Sequence, residues 1–276
     1  RRLEEGLAIL RKGVEIDPGH VGVRLNLANA LVVGNVHGEA IHHYAEVLRR
    51  RPGHAQATAN VLKPVLDTCG WDDAERIVGA LVERWRAAPL PEVLDAMAPF
   101  VSLLVDVPQQ MRRDVAQRFA DRVRERVRSL PPPARTARAA HGRLRIGYAS
   151  ADLHDHATAH LLAGVLEHHD RARFEVHAYS WGIDDGSAYR GRVRGAIEHF
   201  HDVRGLAHDA IAARIAADGI DVLVDLKGYT GESRPEVMAL RPAPVQVNYL
   251  GYPGTMGAGL ADWLIADGTL IREGED

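Results

Sequence analysis

Cysteine, lysine, aromatic residues and long apolar runs are all scarce in this chain of 276 residues. Cysteine occurs once, at Cys69, so no disulfide can form within the chain. No apolar stretch reaches the ~18 residues that a membrane-spanning helix needs, and no signal peptide stands out. These absences predict a cytoplasmic protein with no membrane partner. Charge of one sign is lacking as well: 37 acidic residues are interspersed with 34 basic ones for a formal net charge of -3, which leaves no field to gather nucleic acid. What remains, 46% hydrophobic over this length, suffices for two compact domains with cores of their own.

Comparing the sequence with itself reveals a period. "DPGH" at 17–20 and "RPGH" at 51–54 place Pro18 and Pro52, and His20 and His54, 34 residues apart. Gly6, Ala40 and Ala74 keep the same offset, as do Leu10, Tyr44 and Val78. A helix pair needs such a pattern: a small residue where two helices approach, an apolar residue one turn later, and proline in the turn that follows. The period resembles the tetratricopeptide repeat, with "NLANAL" as a first helix and "GEAIHHYAEVL" as its partner. One unit is whole, from about Val21 to His54; a helix precedes it, and a looser unit follows in which Pro64 is expected to interrupt "NVLKPVLDT". Repeats bury their faces only against neighbours, so more are expected upstream, and Arg1, already inside a helical pattern, suggests a clipped start.

The expected organisation is helical repeats over 1–86, a helical connector over 87–142 punctuated by Pro89, Pro91 and Pro99, and a third region over 143–276. In that last region apolar strands alternate with helices: "LRIGYAS", "FEVHAYSW", "FHDV", "IDVLVDL", "VQVNYL" and "WLIAD". This pattern predicts a mostly parallel, Rossmann-like sheet covered on both faces, so the fold class is α followed by α/β. Gly147 stands alone after the first strand, and the missing G-x-G-x-x-G argues against a dinucleotide dehydrogenase. Ligands of such sheets bind beyond the carboxyl ends of strands, which directs attention to the loops after Ser150, Trp181, Leu226 and Leu250.

Three of those loops carry chemistry. "SADLHDHATAH" sets Asp152, His154, Asp155, His156 and His160 around a helix start. On spacing alone the group can be structural, can serve acid–base or phosphate contact, or, with His156 and His160 one turn apart, can hold a metal. "VDLKGYTGESRPE" places Asp225, Lys227, Tyr229 and Thr230 at a strand end, with Lys227 either neutralising phosphate or simply solvated. Ser233 and Glu236 in the same stretch have capping-box spacing. "NYLGYPGTMG" breaks a strand into Gly251, Tyr252, Pro253, Gly254 and Thr255. Its glycines either let backbone approach a ligand, beside an aromatic face from Tyr252 and a hydroxyl from Thr255, or meet the needs of a tight turn.

Taken together, "LRIGYASADLHDHATAH", "FEVHAYSWGIDDGS", "DGIDVLVDLKGYT" and "ALRPAPVQVNYLGYPGTMGAGLADWLIAD", behind repeats of this type, resemble the first half of the catalytic region of protein O-GlcNAc transferases, glycosyltransferase family 41, and their SPINDLY-like relatives. The resemblance implies two facing Rossmann-like lobes (the GT-B arrangement) and inverting transfer of a sugar, most simply N-acetylglucosamine from UDP-GlcNAc, to Ser or Thr hydroxyls of proteins. It implies no cofactor and no required metal, an acceptor protein lying along the repeats, and a sugar nucleotide held mainly by the second lobe. His156 corresponds to the first histidine of the family's "HPTSH" stretch, at the catalytic centre as base or phosphate contact, and His160 to the second; Ala157 replaces the usual proline. Gly251, Tyr252, Pro253, Gly254 and Thr255 correspond to a loop lining the cleft, and Asp225 beside it is a candidate for orienting substrate. Lys227 stands where animal members carry asparagine and receives no role. The sequence stops soon after "WLIAD", so a truncated catalytic region, inactive alone, is expected. Two alternatives stay open: transfer of fucose from GDP-fucose, as in SPINDLY-type enzymes, and a non-catalytic repeat scaffold.

Overall fold

The computed structural model describes residues 2–135 and 142–271. The expected connector's residues 136–141 and the stretch after Ile271, on which the expected truncation rests, lie outside the described residues. The chain divides into two compact units, 1–119 and 120–276.

The first unit is built of helices in pairs. Helix α1 (Arg2–Ile16) precedes α2 (Val21–Val33) with α3 (His37–Arg50), then α4 (Ala55–Asp67) with α5 (Trp71–Ala87). Corresponding helices of the two pairs start 34 residues apart, at 21 and 55 and at 37 and 71, so the sequence period is a structural one. Ala40 and Ala74 are buried where helices approach, and Tyr44 and Val78 are buried one turn later. The repeated histidines begin helices: Nδ1 of His20 accepts the Val23 amide at 3.2 Å, and Nδ1 of His54 accepts that of Ala57 at 3.3 Å. Each therefore does the work usually given to a Ser or Asp N-cap. Asn29 links the two pairs, its Oδ1 accepting from Tyr44 Oη at 2.7 Å and from Asn60 Nδ2 at 2.8 Å. Pro64 does not interrupt its helix as expected. It lies buried inside α4, and the helix closes four residues later with Thr68 donating from its amide and hydroxyl to the Pro64 carbonyl. The short helices α6 (Pro91–Leu94) and α7 (Pro99–Ser102) each carry proline in the first turn, where its missing N–H costs nothing. Helix α8 (Gln109–Val127) packs Met111 and Val115 against Leu62, Leu81 and Met97, and the division between units falls within it.

The second unit contains one six-stranded sheet in the order β3-β2-β1-β4-β5-β6, every neighbouring pair parallel. The strands are β1 (Leu144–Ser150), β2 (Phe174–Ser180), β3 (His199–Asp202), β4 (Val222–Asp225), β5 (Val245–Tyr249) and β6 (Trp263–Ile265). Between them run α9 (Ala157–Glu167), α10 (Ala188–Gly195), α11 (His208–Ala217) and α12 (Pro235–Ala239). Leu162, Ala163 and Leu166 of α9 pack with Val176, Ala178 and Val224 of the sheet in a single core cluster. This is the Rossmann-like arrangement expected, and its chain order reverses between β1 and β4. Such a reversal opens a crevice beyond the carboxyl ends of the two strands.

Two local expectations fail. β6 was expected to be covered, yet Trp263, Leu264 and Ile265 are all exposed: it is an edge strand, and no helix follows it among the described residues to cover a face. The capping box at Ser233 and Glu236 does not form: Arg234 occupies the N-cap of α12 without a side-chain cap, and Glu236 pairs with Arg126 at 2.9 Å. A charged partner in reach outcompetes a local amide for a carboxylate.

Candidate active site

Beyond β1 the chain continues to Asp152, and beyond β4 to Lys227. The two side chains meet at the point where the strand order reverses. Lys227 Nζ lies 2.8 and 2.7 Å from the two carboxylate oxygens of Asp152, and both residues are about 5% exposed. Lys227 is thus not solvated, one of the two readings its sequence allowed, and its charge is met by Asp152. Asp152 is held from further sides: its amide donates to Ser150 Oγ at 2.9 Å, and Thr158 Oγ1 donates to Oδ2 at 3.4 Å.

His156 stands at the rim of this ion pair. It is the N-cap of α9, with Nδ1 accepting the Thr158 amide at 3.1 Å and lying 3.7 Å from Asp152 Oδ2. Because Nδ1 accepts, the proton of the neutral ring sits on Nε2. The side chain is 43% exposed, which leaves the ring open to solvent. His160, one turn on, is committed elsewhere: Nε2 lies 2.7 Å from Asp155 Oδ1, and the ring stacks on Tyr189 at 3.6 Å. The two histidines share a helix but no common ligand point.

Asp225, about 5% exposed, serves the loop that carries Lys227. Its carboxylate accepts the Lys227 amide at 2.9 Å and the Gly228 amide at 3.0 Å. Burial raises its pKa, with the two amides opposing. Both carboxylate oxygens are spent on the turn, so the substrate-orienting role offered for Asp225 would act through this loop.

The loop after β5 packs onto that turn. A Cβ on Gly251 would lie 1.9 Å from the Leu226 carbonyl oxygen, and one on Gly228, at φ +51°, would lie 2.4 Å from Tyr252 Cβ. Gly251 and Gly228 are therefore dictated by loop meeting loop, a close approach of the protein's own backbone and side chain. Tyr252 is 2% exposed, with its ring edge-on to Tyr229 at 5.4 Å, so it offers a ligand no open aromatic face. Pro253, Gly254 and Thr255 do line a cleft of about 690 Å³ that runs on to β6. Asn248 at its floor is 2% exposed, and its Oδ1 has no hydrogen-bond partner among the described residues. Sequence reasoning passed over Asn248 and named Asp152 only as one of a group; the signal for both was a polar residue at or just past the carboxyl end of an apolar strand.

The sequence profile described as glycosyl transferase family 41 matches residues 68–271. The chain belongs to that family. Over 208 residues it is 34% identical to a probable UDP-N-acetylglucosamine–peptide N-acetylglucosaminyltransferase, SEC, of Arabidopsis thaliana, covering 72% of this chain and 21% of the relative. Identity to the UDP-N-acetylglucosamine–peptide N-acetylglucosaminyltransferase of Caenorhabditis elegans is 36% over 207 residues, 72% of this chain and 18% of that one. The match to Arabidopsis SPINDLY is shorter, 36% over 129 residues, 45% of this chain and 14% of that one. Among solved structures, a mutant O-GlcNAc transferase of Thermobaculum terrenum superposes with a TM-score of 0.68 at 27% identity, over 99% of this chain and 52% of its own. The family 41 chain described here thus spans about a fifth of the length of these curated relatives and about half of that solved one.

Proposed function

We propose that this family 41 chain supplies the acceptor-side half of a protein glycosyltransferase, which passes a sugar from a nucleotide-sugar donor to Ser or Thr hydroxyls of a protein guided along the helical pairs. The observation that carries this is the crevice at β1 and β4, where His156 holds open to solvent a ring fixed by α9 and backed by the Asp152–Lys227 pair. In such a transfer the acceptor hydroxyl loses a proton while the nucleotide leaves as a phosphate anion. A ring with Nδ1 already accepting and Nε2 protonated suits donation to that departing phosphate better than abstraction from the hydroxyl. His156 is therefore read as the phosphate contact. The donor is read as UDP-GlcNAc, since the relatives reported above, SPINDLY included, are all named UDP-N-acetylglucosamine–peptide N-acetylglucosaminyltransferases. No resident metal is invoked at His156, because His160 is engaged by Asp155 and Tyr189. A cytoplasmic setting goes with the exposed free thiol of Cys69; no helix among the described residues is long and apolar enough to cross a membrane.

Transfer from UDP-GlcNAc and from GDP-fucose, measured with the gene product at native length, tests the reading. His156→Ala is expected to lower kcat by about 10²-fold or more, the scale of a lost proton donor or acceptor. His156→Gln, which keeps an N–H, is expected to recover part of that loss. Equal losses in the two variants would favour a base instead, and wild-type rates in both would remove His156 from the mechanism.

A further inference from the structure

On the far side of the sheet's first half, β2 and β3 carry a ladder of polar rings that the proposed transfer does not use. Glu175, His177 and Tyr179 alternate onto one face of β2, and register sets His199 directly beside His177 and His201 beside Tyr179. We propose that Glu175, His177 and His199 form a binding site for a divalent transition-metal ion of the zinc class, separate from the crevice at β1 and β4.

Geometry is the first support. His177 Nε2 lies 3.0 Å from Glu175 Oε1, His199 Nε2 lies 3.5 Å from the same oxygen, and all three ligand atoms fall within 4.8 Å of one another. Zinc bonds of ~2.0–2.1 Å in a tetrahedron set neighbouring ligand atoms about 3.3 Å apart, so the two measured edges bracket the required one. Two imidazoles with one carboxylate suit Zn²⁺, and three protein ligands leave a fourth position for water. His199 is 46% exposed, which gives the ion a way in, while His177 at 6% and Glu175 at 14% fix the inner wall.

Behind the site the hydrogen bonds form a directed chain. Arg214 donates to His201 Nδ1 at 3.1 Å, so His201 Nε2 carries the proton that points to His177 Nδ1 at 3.4 Å, and His177 Nε2–H points to Glu175. When the ion takes His177 Nε2, that ring's proton moves to its Nδ1 and is donated in a hydrogen bond to His201 Nε2, whose own proton has moved to His201 Nδ1. Arg214 then gives up His201 and keeps Asp218, which its Nε already reaches at 2.8 Å. No proton is lost overall. His201 so serves as the outer partner that orients a ligating histidine. The ion must also displace Arg145, whose Nε lies 3.0 Å from Glu175 Oε1 and which remains anchored through its bond to the Asp218 carbonyl at 2.8 Å.

The second cluster, His177 with His201 and Asp218, is less suited. Asp218 Oδ2 already accepts Tyr179 Oη at 2.9 Å and Arg214 Nε at 2.8 Å. Co²⁺ titration of the tag-free full chain, followed by visible absorption and with Zn²⁺ as competitor, tests the assignment. Expected are one tetrahedral Co²⁺ per chain, displaced by Zn²⁺, a thermal midpoint raised by Zn²⁺, and affinity reduced more than about tenfold in His199→Ala. His199 is exposed enough that this variant should fold, which circular dichroism would check. Absence of stoichiometric binding, equal affinity in wild type and His199→Ala, or a loss confined to Asp218→Asn would overturn it.

Discussion

Lys227→Met is expected to destabilise the sheet unit by about 3–5 kcal/mol, the usual consequence of leaving one member of a buried ion pair without the other. Asp152 would keep the Ser150 hydroxyl on its amide and Thr158 on one oxygen, but its carboxylate would lose the only cation within 3 Å that the described residues supply. Hydrogen exchange of the β4 amides, read as an opening free energy, measures the loss directly. The paired variant Asp152→Leu with Lys227→Met should recover most of it, since an apolar pair of similar volume often matches a buried ion pair in stability. If it does, and the transfer activity proposed above stays low in the native-length protein, the pair is kept for the position it gives His156 and not for folding. If Lys227→Met leaves the β4 exchange unchanged, the ion pair is energetically idle and this account of the crevice fails.

The contrast between Lys227 and the repeats shows what a single sequence makes legible. The 34-residue period, the parallel sheet and the loops that hold the site could be read from apolar spacing and turn residues, because those patterns are local and redundant. His20 and His54 were visible as a repeat, but their capping role depends on where Nδ1 points. Asp152 and Lys227 are 75 residues apart, and nothing near either one announces the other. Ser233 and Glu236 carried a correct local signal that a distant arginine, Arg126, overrode. Gly251 shows the same limit from the other side: its need for close approach was legible, but the partner was the protein's own backbone. Pairings between loops are decided by sheet order, and sheet order is the property least available from spacing. The polar ladder of His177, His199 and His201 went unread for that reason, since β2 and β3 become neighbours only in the fold.

Gly251→Ala is expected to cost about 3 kcal/mol or more and to disturb the cleft beyond β5 even where the fold survives. The added carbon would sit 1.9 Å from the Leu226 carbonyl oxygen, and backbone on both sides leaves no rotamer through which to escape. Moving the β5 loop outward would also draw Tyr252 off Gly228, which has no Cβ and holds φ +51° beneath it. The chain already enters this loop through Leu250 at φ +71°, a left-handed conformation that costs a residue with a side chain about 1–2 kcal/mol. Strain of that kind persists only when neighbouring contacts over-determine it, so loosening Gly251 should release Leu250 as well. Gly182, after β2, repeats the arrangement with the Ala151 carbonyl at 1.7 Å from a built Cβ, and Gly182→Ala should behave alike. Gly231, with nothing within 4 Å of a built Cβ, is the control: Gly231→Ala should change thermal stability little. Equal midpoints for Gly251→Ala and Gly231→Ala would mean that the two loops separate freely, and the cleft would then owe its shape to β6 and not to the interlock between the β4 and β5 loops.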